Sequence, residues 1–212
     1  MPIGGDGAWV AVRELQKDSL HGGAERVFGD EVLCLLEALC QRPCVQGSAL
    51  HVGARREVRG VLDEHLVLAL AGAHGPLRIR GGGTRTLDVD GGDTLSTGQM
   101  TGITLHEPGA LTLVAKAGTP VSDIRAALRA ENQRLAFEPM DHRPLLGTTG
   151  APTIGGVVAG NVSGPRRIAV GAARDFMLGV RFVDGTGRIL KNGGRVMKNV
   201  TGYDLVRLLT AG

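Results

Sequence analysis

Two clusters of glycine in this 212-residue sequence place bare main chain where it can meet a ligand. The first, Arg80-Gly81-Gly82-Gly83-Thr84, directly follows the alternating run Leu77-Arg78-Ile79-Arg80. Three successive glycines let consecutive N–H groups converge on one concavity, which holds phosphate oxygens with no side chain in the way. Thr84 adds a hydroxyl donor, and Arg80 or Arg85 can neutralise an anion. The competing reading is a glycine-rich turn with no ligand. The loop is neither the G-x-G-x-x-G dinucleotide fingerprint nor a Walker loop. The second cluster runs Thr153-Ile154-Gly155-Gly156-Val157-Val158-Ala159-Gly160-Asn161-Val162-Ser163-Gly164. Small residues fill nearly every position that can face a flat ligand, with Asn161 and Ser163 as polar contacts among them. Here the competing reading is a short helix packed closely on a sheet. A third stretch, Gly193 to Leu205, offers Lys198, Asn199 and Tyr203 around a turn into a last helix. Alone, it reads as a charged hairpin and a helix cap.

These clusters need elements to hold them. Leu77–Arg80 alternates as a short strand, and Pro76 bars the apolar helical run Val61–Ala71 from continuing into it. Leu87–Asp90, Ile103–His106 and Leu111–Ala117 are further strand candidates. Thr119-Pro120 predicts a helix start, with Thr119 as N-cap and Asp123 in the first turn. Val121, Ile124 and Leu128 then share one face, and Asn132 stops the helix. Ile154–Gly160 reads as a short apolar helix or tight turn. Phe176, Leu178, Val180 and Phe182 alternate as a strand, Asp184–Gly187 turns, and Arg188–Lys191 returns. Gly202–Thr210 is predicted helical with Leu205, Leu208 and Leu209 inward, and Glu31–Cys40 helical near the start. Strands and helices mixed in this way predict an α+β fold.

Composition narrows the function classes. Gly is 34 of 212 residues with no Gly-X-Y period, which excludes collagen. Six aromatic residues are too few for a base-stacking nucleic-acid platform, so no nucleic-acid partner is expected. Residues 138–212 carry a balance of +5 against −2 for the rest, which suits a phosphate-bearing ligand as well as a solvated basic face. Cys34, Cys40 and Cys44 match no zinc spacing and read as reduced thiols in a cytoplasmic protein. The uncharged stretch Pro144–Pro165 holds six glycines and three prolines, too many breakers for a spanning helix. His106 and His142 read as exposed or structural, Arg174-Asp175 as a local ion pair, and Tyr203-Asp204 as helix-start packing and capping. No Ser-His-Asp set, metal cluster or phosphoryl-transfer set is recognisable. A nicotinamide-binding Rossmann domain lacks both its fingerprint and its strand–helix rhythm.

Taken in order, Pro76–Thr84, Ala117–Leu128, Pro152–Arg167, Gly171–Gly187 and Gly193–Gly212 resemble the vanillyl-alcohol-oxidase, or PCMH-type, FAD-binding domain. Within that family they are most similar to the FAD-binding subunits of bacterial glycolate oxidases. The resemblance covers residues 57–212, leaving 1–56 as a partly helical N-terminal extension of unknown role. It implies two α/β subdomains with FAD extended between them. It assigns Arg80, Gly81, Gly82, Gly83 and Thr84 to the pyrophosphate. It places Thr153, Ile154, Gly155, Gly156, Gly160, Asn161, Ser163 and Gly164 along the flavin and ribityl side, with Asn161 and Ser163 hydrogen-bonding to the cofactor. The loop has no His of the kind that tethers FAD in some relatives, so the resemblance implies non-covalent FAD.

The implied activity is oxidation of a small 2-hydroxy acid, glycolate first, by hydride transfer to FAD. The implied partners are other glycolate oxidase subunits, a flavin catalytic and an iron–sulfur one, through which any membrane association would run. No direct membrane insertion is expected. The family's Gly-Thr-Leu-Gly-type segment and cap domain do not follow Gly212, so the domain is expected to be C-terminally truncated, and no catalytic residue is assigned. The other function consistent with these residues is a non-catalytic FAD-binding or assembly subunit.

Overall fold

The computed structural model describes residues 9–13, 15–17, 57–59, 77–85, 93–184, 187–193 and 202–210. Helices expected at Glu31–Cys40 and Val61–Ala71, the strand expected at Leu87–Asp90, and Lys198 and Asn199 lie outside them.

The glycine loop springs from a small parallel sheet. Strand β4 (Leu77–Arg80) pairs with β5 (Asp93–Ser96), which pairs in turn with β3 (Glu57–Arg59). A larger sheet stands in the order β10-β9-β1-β7-β6. Its strands are β1 (Trp9–Arg13), β6 (Ile103–Glu107), β7 (Thr112–Lys116), β9 (Met177–Val183) and β10 (Ile189–Gly193), all antiparallel. Strand β1 lies between β7 and β9, so part of the N-terminal fifty residues completes this sheet. A third pair joins β2 (Leu15–Lys17) to β8 (Gln133–Leu135). The turn after β9 forms as expected: Gly187 N–H donates to the Asp184 carbonyl, and Asp184 N–H to that of Arg188.

Helix α1 (Val121–Ala130) buries Val121, Ile124 and Leu128, the face its spacing predicts. Each such side chain contributes about 1.5–3 kcal/mol on burial. The helix starts one residue later than expected. Pro120, at φ −59° and ψ 138°, takes the cap position, and no side chain caps there. Thr119 is buried, and its hydroxyl has nearer partners: it donates to the Lys116 carbonyl at 2.6 Å and accepts from Gly102 N–H at 3.0 Å. At the other end Asn132 adopts a left-handed φ of 54°, which stops the helix as predicted.

Helices α2 (Arg143–Leu146), α3 (Ile154–Ala159) and α4 (Arg167–Val170) are short. Leu113, Val114 and Ala115 of β7 pack in one core with Ile124, Leu128, Phe137, Ile154 and Val158. Phe137 and Phe176 meet as tilted rings, 5.6 Å between centroids. In α5 (Leu205–Leu209), Val206 is the buried residue at 2% exposure, whereas Leu208, expected inward, is 67% exposed. The helix is little more than one turn, so the side that meets β9 and β10 is set by docking rather than by leucine count. Asp204 caps it, accepting from Arg207 N–H at 3.0 Å, as the sequence predicts. Among the described residues no helix is long and apolar enough to cross a membrane.

Candidate functional site: a glycine-walled cleft

Successive side chains alternate across a strand, so Arg78 and Arg80 of β4 share a face. The chain then enters Gly81–Thr84, which is fastened at both ends. Thr97 N–H donates to the Arg80 carbonyl at 2.9 Å, and the Thr148 hydroxyl donates to the Thr84 carbonyl at 2.9 Å. Between those ends the loop crosses residues 150–151 main chain on main chain. A Cβ at Gly82 would strike the Ala151 carbonyl, and one at Gly150 the Gly82 carbonyl. Only glycine allows that approach.

The second segment is stitched to the end of β7 and the start of α1. Val121 N–H donates to the Pro152 carbonyl at 2.8 Å, Ile154 N–H to Thr119 at 2.9 Å, and Gly155 N–H to Ala117 at 2.8 Å. Thr153 caps α3, accepting from Gly156 N–H at 3.4 Å. The two segments therefore face each other across one cavity of about 320 Å³. Arg80, Gly81, Gly82, Gly83, Thr84, Thr153, Gly155 and Gly156 all line it. A second, more polar cavity of about 270 Å³ shares Arg78, Arg80 and Gly83 and is closed by residues 147–150.

The remaining residues expected at the cofactor sit otherwise. Ile154 is fully buried in the core. Asn161 takes a left-handed φ of 45° as the chain leaves α3, and its Oδ1 accepts from Arg174 N–H at 3.0 Å. Ser163 Oγ accepts from Ala173 N–H at 2.8 Å. These two polar side chains hold the 173–174 backbone. Gly164 N–H donates to the Phe137 carbonyl at 2.9 Å, and Gly160 lies against the Arg85 guanidinium.

Sequence reasoning passed over several residues of the cleft wall, among them Arg78, Thr97, Ala117 and His142. The signal for Arg78 was its i, i+2 relation to Arg80. His142 is delivered by a braced turn. Asp141 and Arg143 form a fork with contacts of 2.7 to 3.1 Å, and Arg143 N–H also donates to Asp141 at 3.0 Å. The Arg143 side-chain hydrogen bonds, and then its backbone N–H, hold the Asp141 carboxyl down at about 2, and Asp141 pushes Arg143 up. His106, by contrast, lies 3.3 Å from Gln133 Oε1, a structural contact. Arg174 and Asp175 pair at 4.0 Å.

The cleft fits a diphosphate. Among the described residues, no acceptor is found for the N–H groups of Gly81, Gly82 and Gly83. Arg78, Arg80 and Arg85 line the same cavity, and no described lining residue is a carboxylate. Converging N–H donors and guanidinium groups are the donor set a phosphate anion takes.

Residues 63–193 match the family model described as "FAD binding domain". The chain belongs to that family. Its cofactor is FAD, and its fold is the mixed helix-and-strand PCMH-type fold. This FAD-binding chain is 45% identical over 118 residues to glycolate oxidase subunit GlcE of Escherichia coli (strain K12), covering 56% of this chain and 32% of the relative. It is 32% identical over 137 residues to glycolate oxidase subunit GlcD of Bacillus subtilis (strain 168), covering 63% and 28%. A D-lactate dehydrogenase of Archaeoglobus fulgidus is 34% identical over 138 residues, covering 63% and 29%. The chain thus spans a third or less of the length of these curated relatives. Among solved structures, Phl p 4.0202, described as a glucose dehydrogenase, superposes with a TM-score of 0.53 at 18% identity, over 64% of this chain and 28% of that one. That likeness is one of fold.

Proposed function

We propose that this chain is the FAD-holding part of an oxidoreductase that oxidises a small 2-hydroxy acid, glycolate first. The reading rests on one observation above the others: the two glycine segments, separated by residues 85–152, wall one cavity whose described lining carries three arginines and the N–H groups of Gly81, Gly82 and Gly83, for which no acceptor is found among the described residues. Gly81, Gly82, Gly83 and Thr84 would donate to the diphosphate, with Arg80 neutralising it. Gly155 and Gly156 present no side chain, so α3 offers a flat wall for a ring system. Ala117, Val157 and Met140 add apolar lining to the same cavity. FAD, when bound, would supply the two-electron redox chemistry for oxidising the hydroxyl-bearing carbon of the substrate. The chain's own contribution is to bind and orient. The relatives named glycolate oxidase subunit and D-lactate dehydrogenase support the substrate class and an assembly with other glycolate oxidase subunits, of which we propose one to be flavin-bearing and one iron–sulfur.

The test is spectroscopic. The purified chain is reconstituted with FAD, its visible spectrum recorded, and glycolate or D-lactate added without oxygen. A yellow protein that bleaches bears out the proposal. A yellow protein that keeps its colour makes it a binding or assembly subunit instead. A colourless protein that takes up no FAD overturns both.

A further inference from the structure

Arg85 leaves the glycine loop and reaches across the cleft. Its Nη2 donates to the Gly156 carbonyl at 2.7 Å, a bond spanning 71 residues of sequence. That carbonyl lies within α3, and Gly160 N–H donates to it as well, at 3.3 Å. The guanidinium also lies flat against Gly160, the residue that ends α3: a Cβ there would collide with both terminal nitrogens and sit 2.5 Å from Cζ. Gly160 has no positive φ, so a turn conformation does not require glycine here; the arginine does. A cation at a helix C-terminus is favourably placed against the unsatisfied carbonyls. Arg85 lines the cavity along with both segments that it joins.

We infer that Arg85 is a positioning residue: it latches the glycine loop to the C-terminal turn of α3 and so sets the width of the cleft that receives the dinucleotide. This rests on the flavin reading above. The loop is tied at Thr97 and Thr148 and crosses residues 150–151, and α3 is tied at Ala117 and Thr119, just past β7. The Arg85–Gly156 bond is a side-chain hydrogen bond that runs directly between the loop's end and α3. Donors on one wall and a flat face on the other must keep a fixed spacing to grip one ligand at both ends. Loss of the latch therefore weakens binding while every main-chain donor of the glycine loop stays in place. Lysine keeps the charge and part of the reach but has no planar fork to lie on Gly160.

The experiment measures FAD dissociation constants by flavin fluorescence for the full chain and for R85K, R85M, G160A and R85M/G160A, with circular dichroism to show each folds. R85M is expected to weaken FAD at least tenfold and R85K less. G160A, which displaces the guanidinium, is expected to weaken FAD similarly in the parent chain but to add little once Arg85 is gone. R85M binding as tightly as the parent, or more tightly, overturns the inference, as does a G160A effect of equal size in both backgrounds. A parent chain that takes up no FAD defeats the flavin reading itself and the latch with it. Should R85M fail to fold, R85K against R85K/G160A reads the same coupling.

Discussion

Gly82→Ala tests the crossing on which the cleft depends. The new Cβ would point into the Ala151 peptide, 2.6 Å from its carbonyl carbon. The carbonyl oxygen lies nearer still, and carbon atoms pack at about 3.5–4.0 Å, so the crossing segments must part by more than about 1 Å. The obstacle is main chain on both sides, so no side chain can swing away. Overpacking of this kind costs about 1–3 kcal/mol, and at roughly 2–4 °C per kcal/mol for a chain of this size the melting temperature falls by about 2–12 °C. The same shift moves the N–H groups of Gly81–Gly83. Losing one hydrogen bond to a charged phosphate costs about 1.5–3 kcal/mol, which is roughly ten- to a hundredfold in Kd. The assay pairs differential scanning fluorimetry with FAD titration. Gly109→Ala serves as control, because nothing lies within 4 Å of a Cβ there and its φ is ordinary. If Gly82→Ala melts within about 1 °C of the parent, as the control should, and binds FAD equally well, the crossing is not as described.

Two further outcomes follow from named contacts. Asp141 titrates at about 2 in the folded chain against an ordinary 3.8, so its fork with Arg143 adds stability that is fully present above about pH 4–5 and is lost as pH falls through 2; urea midpoints of the parent and Asp141→Asn should differ by a constant amount at neutral pH and converge in that acid window. Val206→Ala should cost about 1.5 kcal/mol and Leu208→Ala less than about 0.5 kcal/mol, the reverse of what leucine spacing suggests, and chemical denaturation of the pair decides it.

The glycine loop was legible because its signal is local: alternation over Leu77–Arg80, then three glycines in a row. Helix α1 was legible for the same reason, through Val121, Ile124 and Leu128. Strands β5 and β8 were not. Asp93–Ser96 is short and largely polar, and it is a strand because β3 and β4 bind it on both sides. Gln133 in β8 is fully buried because its amide donates to the Pro108 carbonyl at 2.8 Å while its oxygen meets His106. Asn161 and Ser163 show the limit from the other direction. Their polarity marked them for a ligand, and in the fold they accept from the backbone N–H groups of residues 173–174. A polar side chain announces that it needs a partner, and only the fold says which.

The cleft divides its chemistry between what is cheap to place and what is costly. Guanidinium groups arrive on long side chains and can adjust. Main-chain donors cannot, and ordering a loop costs about 1–2 kcal/mol per residue whenever it happens. Here that ordering is done by folding. Thr97 and Thr148 hold the loop ends, the Gly82–Gly150 crossing holds its middle, and Ala117 and Thr119 hold the facing wall. In the proposed site a ligand would meet donors already held in place, so little of its binding energy would go into arranging them. The same fastening explains why so much of the wall is glycine. The Gly82–Gly150 crossing draws main chain to main chain, and a Cβ there would undo at once the packing that fixes the loop and the geometry on which the proposed binding site depends.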